Sequence, residues 1–345
     1  MGEWRPVDDA TSVEEATDAL LAEGIGDGLP VVPPTAVRLE RMLDGYATSA
    51  GAGDGPAAGA EEVLGLVPPL FGELTPAAAA YHAVLAGCRP AELPVVLAAL
   101  RACLEPELNL LGVQTTTGTA AVAVLVHGPV VARLGLHTGA NLLGPGNRVN
   151  ASVGRAVALG LAGIGGARPG ETDMATTGQP GRYTFCLPEP APSSRLRSPF
   201  PSLAVRRGLG AMVDAVTVLA VGGTAEVLPR GGGATVPEIL DPLADALAGA
   251  ALAAGDTARM RECEQTVVLP PEIAHRLAGL GATADSVRDH LYARGNELLT
   301  ERGFPDARVA ASDDAVYLLV TGGAGIKMLH IPGWIGGSRA VTRSL

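Results

Sequence analysis

Three short runs of small and β-branched residues constrain this chain more than any other feature: AAVAVLV (120–126), AVTVLAV (215–221) and AVYLLV (315–320). Each has the length of a strand and is apolar almost throughout, the pattern of a strand buried on both faces. The second run ends in Gly222-Gly223 and the third in Thr321-Gly322-Gly323. Around them lie helix-length segments at 237–254, 271–280 and 284–302, the last capped by Thr283, and a shorter strand at 266–269. Strands alternating with helices predict an α/β fold, with mostly parallel sheet or sheets flanked by helices.

Upstream, local signals predict more helices. Ser12 and Glu15 form a capping box for a helix within 1–24, and Thr75-Pro76 supplies an N-cap and first residue for AAAAYHAVLAG. Pro90 opens a further helix with Pro94 in its first turn, and residues 150–162 read as a helix capped by Asn150. Between these, GIGDGLPVVPPT (24–35) is too rich in glycine and proline to continue a helix. Residues 47–60 read as a solvated low-complexity loop, and 188–201, rich in proline and serine, as an exposed excursion.

The length predicts two lobes: residues 1–200, carrying Gly/Asn/Arg-rich loops, and 201–345, with glycine-rich strand ends. An internal echo accompanies this division. Residues 216–223 match 316–323 in pattern, 100 residues later, and 122–128 is a poorer third copy. A duplicated unit would produce the echo, and so would the ordinary tendency of parallel strands to end in glycine.

Composition sets the remaining bounds. Apolar residues make up 47% of the chain and aromatic ones 3%, so a large core must be built from Ala, Val and Leu. The net charge of −11 argues against nucleic acid and against an anionic membrane surface, both of which need clustered positive charge. The uncharged run 115–132 is interrupted by Gly118, His127, Gly128 and Pro129, so no membrane span is expected. No secretory signal opens the sequence, and Cys88, Cys103, Cys186 and Cys263 form no CxxC pair, which together predict a cytoplasmic protein with reduced thiols.

Polar chemistry concentrates in HTGANLLGPGNRVNASVGRAVALGLAGIGGARPGETDMATTGQPGRY (137–183). Asn141, Gly144, Gly146, Asn147 and Asn150 are the candidates for ligand contact at a helix N-terminus, where free N–H groups attract anions. Arg148 or Arg155 is the candidate bidentate clamp, Arg168, Arg182 and Lys327 are the other suppliers of local positive charge, and Asp173 and Thr177 follow in the same stretch. The plainer alternative is a capped helix and glycine turns. Elsewhere, Gln114, Thr115 and Thr116 precede the first strand, His127 ends it, Asp27 sits among glycines, and Lys327 follows the last glycine-rich strand end. Each of these is open to a turn or capping role as well as a binding or general-base role. Cys88 and Cys186 are candidate nucleophiles, unless burial makes them inert. No nucleotide or metal motif is present: GK[ST] is missing, and the six histidines form no HxH or HExxH pattern.

GDGLPVVPPT (26–35), AGCRPAELPVVLAAL (86–100), NLLGVQTTTG (109–118), NLLGPGNRVNASVGRAVAL (141–159), IGGARPGETDMATTGQPGRYTFCLPE (164–189) and LLVTGGAGIKM (318–328) resemble a bacterial family encoded beside small proteins with a UGSC or CGSC motif. Those neighbours are similar to selenoprotein B of glycine and D-proline reductases. The resemblance spans most of the chain and implies a thiol- or selenol-bearing partner, but no particular reaction. His127 stands where the family has Asn before Gly-Pro, and Leu187-Pro188-Glu189-Pro190 replaces a more acidic stretch.

Two functions follow as expectations. The first is an acid/base lyase, hydratase or hydrolase acting on a small anionic, carboxylate-like metabolite. Arg155 would hold the carboxylate, Asp173 or His127 would move the proton, and Asn141 and Asn147 would stabilise developing charge. The second is a non-catalytic or co-catalytic subunit working with a UGSC- or CGSC-type partner. Alanine- and glycine-rich helices at 151–163 and 243–254 would also permit homo-oligomer packing.

Overall fold

The computed structural model describes residues 4–50, 59–194, 198–255 and 258–345. Most of the low-complexity stretch (51–58) and residues 195–197 of the Pro/Ser-rich excursion lie outside the described residues.

The helices are α1 (Val13–Ala22), α2 (Ala36–Ala50), α3 (Pro76–Leu85), α4 (Leu93–Cys103), α5 (Leu110–Thr115), α6 (Val130–Leu134), α7 (Arg148–Gly165), α8 (Leu203–Arg206), α9 (Val236–Ala253), α10 (Pro271–Gly279) and α11 (Ala284–Glu301). The strands are β1 (Gly65–Val67), β2 (Gly72–Leu74), β3 (Ala121–His127), β4 (Cys186–Pro188), β5 (Ala215–Val221), β6 (Ala225–Val227), β7 (Gln265–Leu269), β8 (Val316–Val320), β9 (Met328–Pro332) and β10 (Val341–Ser344).

Apart from the β1–β2 hairpin, the strands form two four-stranded sheets, in the orders β10-β5-β3-β4 and β6-β9-β7-β8. The period of two along each strand decides how they stack. Ala121, Ala123, Leu125, Leu219 and Val221 point from the first sheet into a core shared with Val268, Tyr317, Leu319 and Ile331 of the second. The alternate residues Val124, Val126, Val216 and Val218 pack under α3, α4 and α7. Val267, Leu269, Val316 and Leu318 pack under α9, α10 and α11. The molecule is therefore a four-layer sandwich, helices–sheet–sheet–helices, and the continuous apolar strands follow from burial on both faces.

The sheets are mixed, not mostly parallel. Among the described strands of the two sheets, β3–β4 and β7–β8 are parallel, and β3–β5, β5–β10, β7–β9 and β6–β9 are antiparallel. Helical crossovers join each parallel pair, whereas seven residues join β8 to β9, too few for a parallel return. The sequence pattern reveals the long buried strands but not their directions, since β3 and β5 run antiparallel, and it misses β6, β9 and β10, which carry the other antiparallel pairings.

Both sheets share one connectivity. In each, two parallel strands are followed by an antiparallel third, and the fourth place is filled from the other half of the chain. β6 follows β5 yet pairs with β9, and β10 follows β9 yet pairs with β5. A boundary at residue 200 thus leaves β5 and β10 in the first sheet. The echoing segments are β5, second in its sheet and antiparallel, and β8, an edge strand parallel to β7. They hold different places in the shared connectivity.

The exchanged segments cross where Gly222 N–H donates to Pro332 O at 2.8 Å and Trp334 N–H donates to Ala220 O at 2.9 Å. Gly333 lies between them, and a Cβ there would stand 2.0 Å from Glu264 O, so only glycine fits.

Local signals held where one turn contains them. Ser12 and Glu15 make the reciprocal capping box, Thr75 caps α3, and Thr283 caps α11. Asn150 differs from expectation: α7 starts at Arg148, and Asn150 lies inside its first turn, buried, with its amide on the backbone of His137. The 188–201 excursion is also pinned at Glu189, Ala191 and Phe200, all buried, and is not freely exposed.

Among the described residues, no helix is long and apolar enough to cross a membrane.

Candidate functional site

A cleft of about 620 Å³ opens at the start of β3. Val113 and Gln114 of α5, residues 120–122, and the second half of α7 (Ala158, Leu159, Leu161, Ala162) form one wall. The loop 167–183 forms the other, with Gly26 and Asp27 at one side. The apolar wall comes from elements whose other faces are fixed in the core. The polar wall is a loop that backbone and hydroxyl bonds make rigid. Asp173 N–H donates to Arg168 O at 2.9 Å, Gly170 N–H donates to Asp173 O at 2.9 Å, and the Thr172 hydroxyl donates to Gly166 O at 2.6 Å.

Asp173 and Arg182 are ion-paired in this loop, through Arg182 Nη2 and Asp173 Oδ2. Their side chains are only 11% and 22% exposed. The other carboxylate oxygen, Oδ1, accepts from Ala175 N–H at 3.1 Å. Arg182 Nη1 is buried and has no hydrogen-bond partner among the described residues. A buried donor on a charged group is costly to leave unpaired. Nη1 is thus an uncommitted donor of a guanidinium that lines the cleft.

The two glutamines of the lining are oriented by the backbone. Gln114 Nε2 donates to Leu161 O at 2.8 Å, and Gln179 Nε2 donates to Thr119 O at 2.8 Å and Val221 O at 3.1 Å. Both of these Gln179 bonds use its amide nitrogen, which leaves its carbonyl oxygen, whereas Gln114 keeps its carbonyl oxygen and a second N–H. Thr176 and Thr177 add exposed hydroxyls on the loop.

Asp27, Gln114, Asp173 and Thr177 therefore come together from among the sequence candidates. Arg155 reaches the cleft's edge only through Asp27. Its Nε and Nη2 each donate to one Asp27 oxygen at 2.8 Å, and its terminal nitrogens also donate to Pro30 O at 3.1 Å. That set of partners fills the guanidinium fork, so Arg155 positions the 24–35 loop and is not a free clamp.

The remaining candidates lie elsewhere. Thr115 Oγ1 bonds back to Leu111 O, and Thr116 Oγ1 accepts from Gly118 N–H, so both serve a helix end and a turn. The 141–147 loop closes on itself: Asn141 Nδ2 donates to Pro145 O at 2.9 Å and Asn147 Nδ2 to Asn141 O at 2.6 Å, around Gly144 and Gly146. It precedes the start of α7, whereas the cleft meets that helix ten or more residues on, about 15 Å along its axis. Asn150 braces this loop. Lys327 is exposed and paired with Glu226 Oε1 at 3.0 Å.

His127 sits at the far end of β3, about 20 Å along the strand from Ala121. Its Nδ1 lies 2.8 Å from Glu189 Oε2 and its Nε2 2.8 Å from Thr217 Oγ1. Acid, imidazole and hydroxyl in a row have the order of a nucleophile triad. All three residues are sealed, however, with His127 1% and Thr217 0% exposed, so no substrate reaches them. The cysteines are no better placed. Burial pushes the Cys186 thiol up to about 12, and burial with the nearby Glu92 charge holds Cys88 well above the ordinary thiol range. Neither is a thiolate at neutral pH.

From the sequence, Arg182 is one of several possible charge donors, and the alanine wall is not visible. Arg182 carried a usable signal, an arginine nine residues after an aspartate in one glycine-rich loop. Alanines carry none.

No protein-family model and no curated protein matches this chain.

Proposed function

We propose that the chain is an enzyme of small-molecule metabolism, working in the cytoplasm, that performs acid/base chemistry on a carboxylate-bearing metabolite in this cleft. A lyase, hydratase or hydrolase fits this chemistry. The observation that carries the reading is the Asp173–Arg182 pair in the cleft wall, with Nη1 buried and uncommitted. A substrate carboxylate meets the partly exposed Arg182 side chain from the cleft, a rotation of the guanidinium brings the closed-off Nη1 to it, and Asp173, held beside it, moves the proton. The Thr176 and Thr177 hydroxyls and the oriented glutamine oxygens fix the rest of the ligand. With a net charge of −11, the protein repels anions at long range, so a local guanidinium must supply the attraction.

Carboxylates and their isosteric primary amides, tested on the purified full chain and on Arg182→Gln, check this reading by thermal shift and turnover. Carboxylates should stabilise and react while amides do not, and the preference should vanish in Arg182→Gln. Equal responses to both, unchanged by the substitution, would overturn it.

A second reading places a UGSC- or CGSC-type partner over the cleft. Met174 and Tyr183, 50% and 47% exposed on the loop that carries Asp173 and Arg182, offer apolar surface for one. Activity that appears only on mixing the two proteins would favour it. The shared connectivity of the sheets also supports two lobes built on a repeated unit.

A further inference from the structure

We infer that the ligand is not a bare small acid but a carboxylate with an extended, uncharged and largely apolar body. The inference rests on the carboxylate reading above and adds the rest of the molecule. The cleft, at about 620 Å³, falls within the range of sites that hold drug-sized ligands, about 300–1,000 Å³. A two- or three-carbon acid at Arg182 would leave most of that volume to water.

The two walls differ in kind. Both charged pairs, Asp27–Arg155 and Asp173–Arg182, are internally neutral; Asp27, Asp173 and Arg182 belong to the loops, and Arg155 reaches Asp27 from α7 without lining the cleft. The facing wall, from Val113, Ala120, Ala158, Leu159 and Ala162, carries no charge. Ala158 and Ala162 are one helical turn apart, on one face of α7, and both are half-buried. Their short side chains create the space, and longer ones would fill it. An anionic head on the loop wall with a hydrocarbon-like body along the helix wall matches this layout. A second charge on the body would meet no partner on the apolar wall.

Straight-chain monocarboxylates from two to eight carbons, titrated calorimetrically into the full chain, test this. Wild-type affinity should rise about fourfold per added methylene until the wall is covered, the value of burying one CH₂. Ala162→Leu and Ala158→Leu should each weaken the longest acid at least tenfold and leave the shortest within about twofold. Two positions are used so that one misfolded variant, detected by its melting curve, does not remove the test. Affinity that stays flat with chain length in the wild type, and is indifferent to both leucines, would overturn the inference. If Arg182→Gln still weakened every carboxylate in that case, the carboxylate reading would stand alone. If Arg182→Gln changed none of them, the carboxylate reading itself would fall.

Discussion

Arg155 and Asp27, 128 residues apart in the chain, face each other fork to fork, with two parallel hydrogen bonds of 2.8 Å. Both side chains are 17% exposed. The pair fastens the glycine- and proline-rich loop, which has no regular structure of its own, to the middle of α7. Arg155 also holds Leu29 O and Pro30 O, whereas Asp27 accepts one further bond, from Leu29 N–H at 3.1 Å. Removing the arginine should therefore cost more than removing the acid. Arg155→Ala is expected to lose about 2–4 kcal/mol in urea unfolding, and Asp27→Ala less, because Arg155 keeps its carbonyl partners. The double variant should cost clearly less than the two single losses added together. Strict additivity would show that the pair does not act as a unit.

Two histidines set an acid limit. Burial holds His82 and His330 neutral, down to about 4 for each, against an ordinary value of 6.5. Unfolded, both protonate near 6.5. Between those values the unfolded chain binds more protons, so stability is full above about pH 6.5 and falls as the pH drops toward 4. Each imidazole withdraws up to about 3 kcal/mol over that window. Unfolding free energies measured between pH 5 and 6.5 should slope with an uptake of about one proton at pH 6.5, approaching two near pH 5. His330→Asn, keeping a donor toward Gln265 Oε1, should reduce the slope near pH 5 by about one. An unchanged slope in the variant would assign the lability to other groups.

How much was legible depended on how far apart the interacting residues lie. Capping boxes such as Ser12–Glu15 close within one turn and are read directly from sequence. β3, β5 and β8 announce themselves by length and apolarity. β6 does not, since its three residues pair with His330, Leu329 and Met328, some hundred residues downstream, and only that pairing makes them a strand. The site divides in the same way. A dense polar segment marked Asp173 and Thr177, but the chain alone does not say which end of β3 is open. His127 looked available because its partners, Glu189 and Thr217, lie 62 and 90 residues away.

Those partners begin a polar seam between the sheets. Thr217 bonds Thr342 at 2.8 Å, Arg207 bonds Thr342 and Tyr317, and Tyr317 donates to Glu264 at 2.6 Å. His127→Ala would leave Glu189 and Thr217 facing a buried hole. A loss of about 3 kcal/mol is expected. Because the seam lies far from the cleft, carboxylate affinity in the folded variant should stay within about twofold of wild type, measured calorimetrically. A large loss of affinity with intact folding would give His127 a role in the site.

Gly333 is where the strand exchange is most exposed to substitution. β9 leaves the second sheet there, Gly333 and Trp334 pair with β5 of the first, and Glu264 O occupies the place an added Cβ would take. The obstacle is backbone of the strand that leads into β7, not the flexible end of a side chain, so it cannot swing away. Gly333→Ala must open the crossing or bend the β7 entry, either of which loosens both sheets at once. A cost of more than about 2 kcal/mol is expected. Gly249, on α9, has nothing within 4 Å of an added Cβ and serves as the control. Gly249→Ala should be neutral or stabilising by up to about 1 kcal/mol. If the two alanines melted alike, the crossing would be looser than its contacts imply, and the exchange of β6 and β10 would not be what locks the two sheets together.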